Sequence, residues 1–274
     1  MNGIINLLTQ INQMVATLGD NTGLLSSPET WNPALAAYAN GISEVVIKPV
    51  AYTILTLFLM LELYHLGQRL SSMGGSQQVV LQQVGLMFVK VLLCKWAVDN
   101  SLFLVSGIIE IFQNITAGIS SFIGTGYIDA QLDIDALAAT VPTDFLSRLQ
   151  TQMILWIPYA IIWLVKTLLS AIVVARFVEL YVMMAIAPLP LSTFCSHELH
   201  NIAVNYCKNV AAVGLQGALI YIVVGFSSAL TASVFSPNTE SLVAAAWGLA
   251  TASVVIFFAV FTCGRWARSY FNAM

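Results

Sequence analysis

Three groups of residues in this 274-residue chain have types and spacings that invite a chemical reading. His197-Glu198-Leu199-His200 suggests a metal-binding helix, yet a zinc-protease pair needs histidines four apart with Glu after the first. These histidines are three apart and have no third ligand nearby, so no metal site is expected. Glu62, Lys90, Lys95 and Asp99 form a second group that could relay an ion, with Lys95 and Asp99 one helical turn apart. Pumps place such carboxylates at mid-span beside unwound segments, whereas these acids lie near segment ends. Interhelical or intersubunit pairing is therefore the expected role. The third group is Lys166, Arg176 and Glu179, set inside an almost unbroken apolar run from Met153 to Phe194. Arg176 and Glu179 are three apart and able to pair. Arg176 also suits a side chain snorkelling from a span end, while Lys166 needs a buried partner or a pore contact. No nucleophile with a base, phosphate loop or nucleotide motif occurs, so no catalytic residue and no cofactor is expected, and the chain does not read as an enzyme.

What must position these charges is a membrane bundle. Apolar residues make up 58% of the chain and charged ones 8%, against about 25% charged in soluble domains. The apolar runs approach or exceed the roughly 20 residues that cross hydrocarbon as helix, and they lack the alternation of membrane β-strands. A net charge of −3 leaves no basic stripe for a phosphate backbone, which excludes stable nucleic-acid binding. Cys94, Cys195, Cys207 and Cys263 show no CxxC spacing and read as small hydrophobes. The first Lys or Arg is Lys48, so no signal peptide is expected.

Residues 1–43 form an extracytoplasmic segment. Ile4, Leu7 or Leu8, Ile11, Met14 or Val15 and Leu18 recur at helical spacing among Asn and Gln, an uncharged amphipathic helix, followed by an interface-hugging loop with Pro28, Trp31 and Pro33. Residues 44–123 hold the first transmembrane helix, about Glu44 to Leu66 with Pro49 near its start, and a long second helix in the proline-free stretch Val79 to Phe122. Asp99-Asn100-Ser101 divides that stretch. In its second half Ser106, Glu110, Gln113, Ala117 and Ser121 fall three or four apart with Asn114 beside them, which makes one wet face. Residues 124–149 are an acidic polar loop. Residues 150–274 form a C-terminal transmembrane bundle with segments Met153 to Ala175, Arg176 to Phe194, Val210 to Ala232 and Leu242 to Cys263.

The expected fold is an all-α polytopic transmembrane helical bundle of five to six membrane segments, with one proline-broken or re-entrant helix, plus the N-terminal amphipathic helix. Ala187, Pro188 and Pro190 mark the break, whose freed carbonyls either line a conduit or belong to a packed kink. Ala244, Gly248 and Ala252, spaced by four, let the last helix approach a neighbouring helix or subunit closely. Lys and Arg in short loops set orientation. The first 43 residues have none and the tail has Arg265 and Arg268, which predicts an outside N-terminus and a cytoplasmic C-terminus. Crossings are then odd in number: the Arg176 to Phe194 stretch is not a full crossing, or Val79 to Phe122 crosses twice.

From Arg176-Phe177-Val178-Glu179-Leu180-Tyr181 through Ala185-Ile186-Ala187-Pro188-Leu189-Pro190-Leu191-Ser192-Thr193-Phe194, then Asn205-Tyr206-Cys207-Lys208-Asn209 and Gly214-Leu215-Gln216-Gly217, the chain resembles the TrbL-like polytopic channel subunits of type IV secretion and conjugation systems. The likeness is specific over roughly residues 155–232. It implies an inner-membrane homo-oligomer surrounded by lipid, with secretion ATPases and a pilus or stalk subunit as partners, and DNA or protein substrate in transit. The matching positions are Arg176, Glu179, Ala187, Pro188, Pro190, Lys208, Gln216 and Gly217, none implied to be catalytic. The bottom-up reading adds Ser106, Glu110, Gln113, Asn114 and Lys166 as conduit-lining or subunit-facing residues. A secondary transporter built on the broken helix and embedded charges is the alternative, though the first half offers no second double-proline break. A scaffold that recruits partners is the third.

Overall fold

Ser27 and Asn32 start the first two helices of the computed structural model, which describes residues 6–7, 9–11, 13–14, 23, 25–73, 77–124, 145–196, 199–234 and 242–272. The Ser27 hydroxyl accepts from the Thr30 N–H at 3.1 Å, opening α1 (Pro28–Trp31). Asn32 Oδ1 accepts from the N–H groups of Ala34 and Leu35 at 3.1 and 3.2 Å, opening α2 (Pro33–Ile42). Each cap is followed by a proline at a position whose N–H has no intrahelical partner to lose. Ahead of them Asn6, Leu7, Thr9, Gln10, Ile11, Gln13 and Met14 are helical. Leu7 and Ile11 are buried and Asn6, Gln10 and Gln13 exposed, an amphipathic arrangement.

The first span begins earlier than Glu44. α2 passes through a π turn (Ser43–Ile47) into α3 (Lys48–Met73), so Pro49 lies inside a continuous helical run and not near its start. In a regular ladder the Pro49 ring would meet the carbonyl four residues back, and the wider π turn falls on that residue. The stretch expected as a long second helix is likewise corrected: it is two helices, α4 (Gln77–Asp99) and α5 (Ser101–Gly124). Asn100 stands between them, and the Trp96 carbonyl there accepts both its backbone N–H at 2.9 Å and its side-chain amide at 3.0 Å. Antiparallel helices need about 2–5 loop residues to reverse. One residue permits a bend and no more.

Met153 to Ala175 and Arg176 to Phe194 are not separate spans either. α6 (Phe145–Ile186) is one 42-residue helix with Pro158 inside it. Ala187 is a turn, after which come α7 (Pro188–Ser192) and a 3-10 turn (Thr193–Cys195). α8 (His200–Val234) takes in much of the polar stretch after Phe194, and α9 (Leu242–Tyr270) closes the chain. Of the acidic loop, residues 125–144 lie outside the described residues, as do His197 and Glu198; Phe145 onward already belongs to α6. Six helices are long and apolar enough to cross a membrane, and no strand occurs among the described residues.

Buried positions step by three and four along the late helices. On α8 they are Ala203, Tyr206, Val210, Val213, Gly217, Ile220 and Val224; on α9 Ala246, Leu249, Ser253, Ile256, Val260, Cys263 and Ala267. This is the a/d pattern of helices packed side chain into hole.

The chain divides into two compact units, each discontinuous in sequence. One comprises Met1–Leu25, Gln113–Arg176 and Leu215–Ala267; the other comprises Ser26–Phe112, Phe177–Gly214 and Arg268–Met274. In the first, Leu155, Ile162, Leu169 and Arg176 fall seven apart along α6, all buried. Tyr221 of α8 donates to the Ser120 hydroxyl of α5 at 2.8 Å. In the second, α3 and α4 run antiparallel, because Lys48 meets Asp99, Leu55 meets Cys94, and Glu62 meets Lys90. α7 packs on both helices, and Phe194 lies against the Leu55–Cys94 pair with Val91.

Candidate functional site

The proline break occurs because Pro188 and Pro190 have no N–H to continue the α6 ladder. The Ala187 N–H bonds the Met184 carbonyl at 3.4 Å, a tighter turn that leaves the Met183 carbonyl without its helical donor. The Tyr206 hydroxyl of α8 supplies one, at 2.7 Å. Ser192 and Thr193 hydroxyls donate to the carbonyls of Leu189 and Pro190, both at 2.7 Å. Ala187, Pro188 and Pro190 are buried. A packed kink, one of the two readings of this pair, accounts for each of these bonds.

Two ends of the second unit grip α6 within little more than one turn of each other. The Trp31 ring stacks on Phe177 with centroids 4.6 Å apart and planes 4° from parallel. The Tyr181 hydroxyl donates to the Pro28 carbonyl at 2.5 Å. Between them, Glu179 accepts from Arg268 Nη2 at 2.9 Å. Elsewhere in this unit Lys90 pairs with Glu62 between helices at 3.1 Å, while Lys48 pairs with Glu44 one turn back at 2.5 Å and reaches across to the Asp99 carbonyl at 3.0 Å. The Tyr52 hydroxyl donates to the Asp99 carboxylate. Glu62 and Asp99 thus each meet a partner on α3 or α4 across the helix pair, while Lys95 is exposed.

In the first unit Arg176 is 5% exposed. The snorkelling expectation is overturned, since the residue lies well inside α6, in register with Leu155, Ile162 and Leu169. Its guanidinium fills the space that a side chain at Gly217 would occupy. A Cβ at Gly264 would lie 3.2 Å from Gln216 Nε2, so the Gly-Leu-Gln-Gly stretch of α8 presents a glycine to α6 and an amide to α9. In the second unit, a Cβ at Gly214 would come within 2.6 Å of Phe112 Cδ2. Small residues on α8 thus admit bulky neighbours.

α5 buries Ser101, Val105, Ile109 and Thr116 and leaves the remainder of its circumference more open. Glu110, Asn114, Ala117 and Ser121 are exposed, and Ser106 and Gln113 are half-buried. Lys166 and Lys208 are half-buried as well. On α9, Ala252 lies on the buried seam, Gly248 is half-buried and Ala244 exposed.

Sequence reasoning missed Tyr206, Tyr181, Trp31 as a stacking partner, and Arg268 as the partner of Glu179. Tyr206 carried a signal, since it falls on the α8 apolar seam and a hydroxyl there needs an acceptor. The partner of Glu179 carried none.

Six membrane-length helices, interhelical ion pairs and hydroxyl-capped carbonyls define a polytopic α-helical membrane protein. A protein-family model described as TrbL/VirB6 plasmid conjugal transfer like protein matches residues 11–188, well over half of the chain, and the chain belongs to that family. It is accordingly a component of conjugal transfer, or type IV secretion, machinery, and the family is one of structural parts of such machines. The match takes in Arg176, Glu179, Ala187 and Pro188; Pro190, Lys208, Gln216 and Gly217 lie beyond it. No curated protein and no solved structure matches the chain.

Proposed function

We propose that this chain is a channel subunit that, in several copies, helps form the substrate path across the cytoplasmic membrane. The observation that carries the reading is the stripe on α5. Glu110 and Asn114 stay exposed, with Ser106 and Gln113 half-covered, on a helix apolar enough to span. An ionisable side chain facing acyl chains is costly, by about 3 kcal/mol on insertion scales, so this stripe faces water or another subunit. Helix coverage supports several copies. In the most apolar windows of the first two candidate spans only 11% of residues are buried by the protein itself, against 44% in the last two. The early helices therefore present far more surface to lipid and to neighbours.

Secretion ATPases on the cytoplasmic side and a pilus or stalk subunit outside are the partners this role requires. The N-terminus faces outward and Arg265 and Arg268 mark the cytoplasmic edge. Cysteines at positions 106, 110, 113 and 114, in a cysteine-free background, react with an impermeant thiol reagent in assembled membranes; complete protection of all four refutes the path. Copurification with a secretion ATPase separates this reading from a secondary transporter, which would purify alone and show substrate-driven ion flux.

A further inference from the structure

α9 has a second face besides its packed seam. Thr251, Val255, Phe258, Thr262 and Arg265 recur at steps of three and four, each two residues from a seam position and so roughly half a turn around the helix from it. Val255 and Phe258, with Phe261 beside them, are each more than half exposed. The ring of Phe257 lies against both phenylalanines, with centroids 5.6 Å from Phe258 and 6.3 Å from Phe261. The two hydroxyls on this face are spent inside the helix: Thr251 donates to the Trp247 carbonyl at 2.9 Å and Thr262 to the Phe258 carbonyl at 2.8 Å. The face is therefore apolar down to Arg265.

At Arg265 its character changes. The residue is exposed, and Trp266, next to it and one turn beyond Thr262, is close to half exposed. Arg268, three residues on, takes the Glu179 carboxylate, while Arg265 has no carboxylate among the described residues. From Val255 to Arg265 the helix rises about 15 Å, half of a hydrocarbon core about 30 Å thick. The stripe is thus apolar for the depth of one leaflet and cationic at its edge.

We propose that this stripe binds an anionic phospholipid, with its phosphate on the Arg265 guanidinium and the Trp266 indole N–H and an acyl chain along Val255, Phe258 and Phe261. A planar guanidinium suits a phosphate, and an indole sits at headgroup depth. A zwitterionic headgroup would bring a second cation to an end that already carries two arginines. A neighbouring helix is a poorer occupant, since close approach in lipid favours small residues and this face carries two protruding rings. The α5 stripe is polar where this one is apolar, and the proposal holds on whichever side of the membrane the tail lies, independently of the channel reading.

The test uses the full-length protein, stripped of lipid in detergent, and native mass spectrometry with phosphatidylglycerol or phosphatidylcholine as probe. Phosphatidylglycerol binds the wild-type protein more tightly than phosphatidylcholine does. Arg265→Gln weakens phosphatidylglycerol about fivefold, and Lys95→Gln, at an exposed cation of another spanning helix, leaves it unchanged. Joint Phe258→Ala and Phe261→Ala substitution weakens both lipids. Equal losses in the Lys95 and Arg265 variants, or no loss in the latter, overturn the proposal, as does an alanine pair without effect. Displacement of the lipid by soluble glycerol phosphate assigns Arg265 to a free phosphate and overturns the lipid. An Arg265→Gln variant that changes oligomer size but not lipid binding assigns the stripe to a second copy and does the same.

Discussion

A buried arginine and the glycine opposite it show how narrowly single residues are specified. A Cβ at Gly217 would overlap the Arg176 guanidinium. Gly217→Ala must therefore displace a charge from a site in which it is 5% exposed, and we expect a loss of about 3 kcal/mol in unfolding experiments in detergent. Gly107 and Gly118 provide the control, because a Cβ at either meets nothing within 4 Å. Gly107→Ala gains up to about 1 kcal/mol from helix propensity. Equal effects at positions 217 and 107 would remove the argument for a guanidinium notch. Tyr206→Phe tests the kink: it strands the Met183 carbonyl, now 2.7 Å from the hydroxyl, and costs about 1–3 kcal/mol. No loss there means the carbonyl has another donor.

Elements in this protein are set by where their ladders are interrupted and by what meets the interruption. The α3–α4 pair is held in register by Lys90 and Glu62, with side chains 41% and 22% exposed. A pair so open contributes about 1 kcal/mol. Lys90→Glu and Glu62→Lys each lower the thermal midpoint, and the double swap restores most of the loss; a swap no better than the worse single variant means that the contact does not set register. Much of this scale was legible in the sequence. Asp99-Asn100-Ser101 divides a proline-free stretch, and Ala187-Pro188-Leu189-Pro190 ends a helix, because an amide side chain and missing donors act locally. The run from Pro33 through Pro49 was not legible. A proline next to a π turn gives no pattern that distinguishes it from a proline at a helix start.

For the molecule in its membrane, charge asymmetry and helix order support the proposed topology, which reporter fusions test. On that proposal α4 and α5, joined by a bend, make one crossing between residues 69 and 135, and the cations after Phe194 and in the tail are read as lying inside. Reporter fusions after Arg69, His200 and Met274 are expected to be cytoplasmic, and one after Asp135 external. A cytoplasmic reporter at Asp135 would reverse the side assigned to the α5 stripe and remove its role in a path that opens outward.

The sequence by itself determined the solvent and the class. Apolar run lengths and the scarcity of charge are sums along the chain, and such sums decide whether lipid or water is the better medium. It also marked Arg176 and Gly217 as members of one pattern. Only the tertiary structure decided that they touch, that Glu179 pairs with Arg268, and that Tyr206 closes the Met183 carbonyl. These are choices among partners far apart in the chain. They depend on which faces of the helices meet, and the apolar faces here are too alike in composition for the linear pattern to select among them.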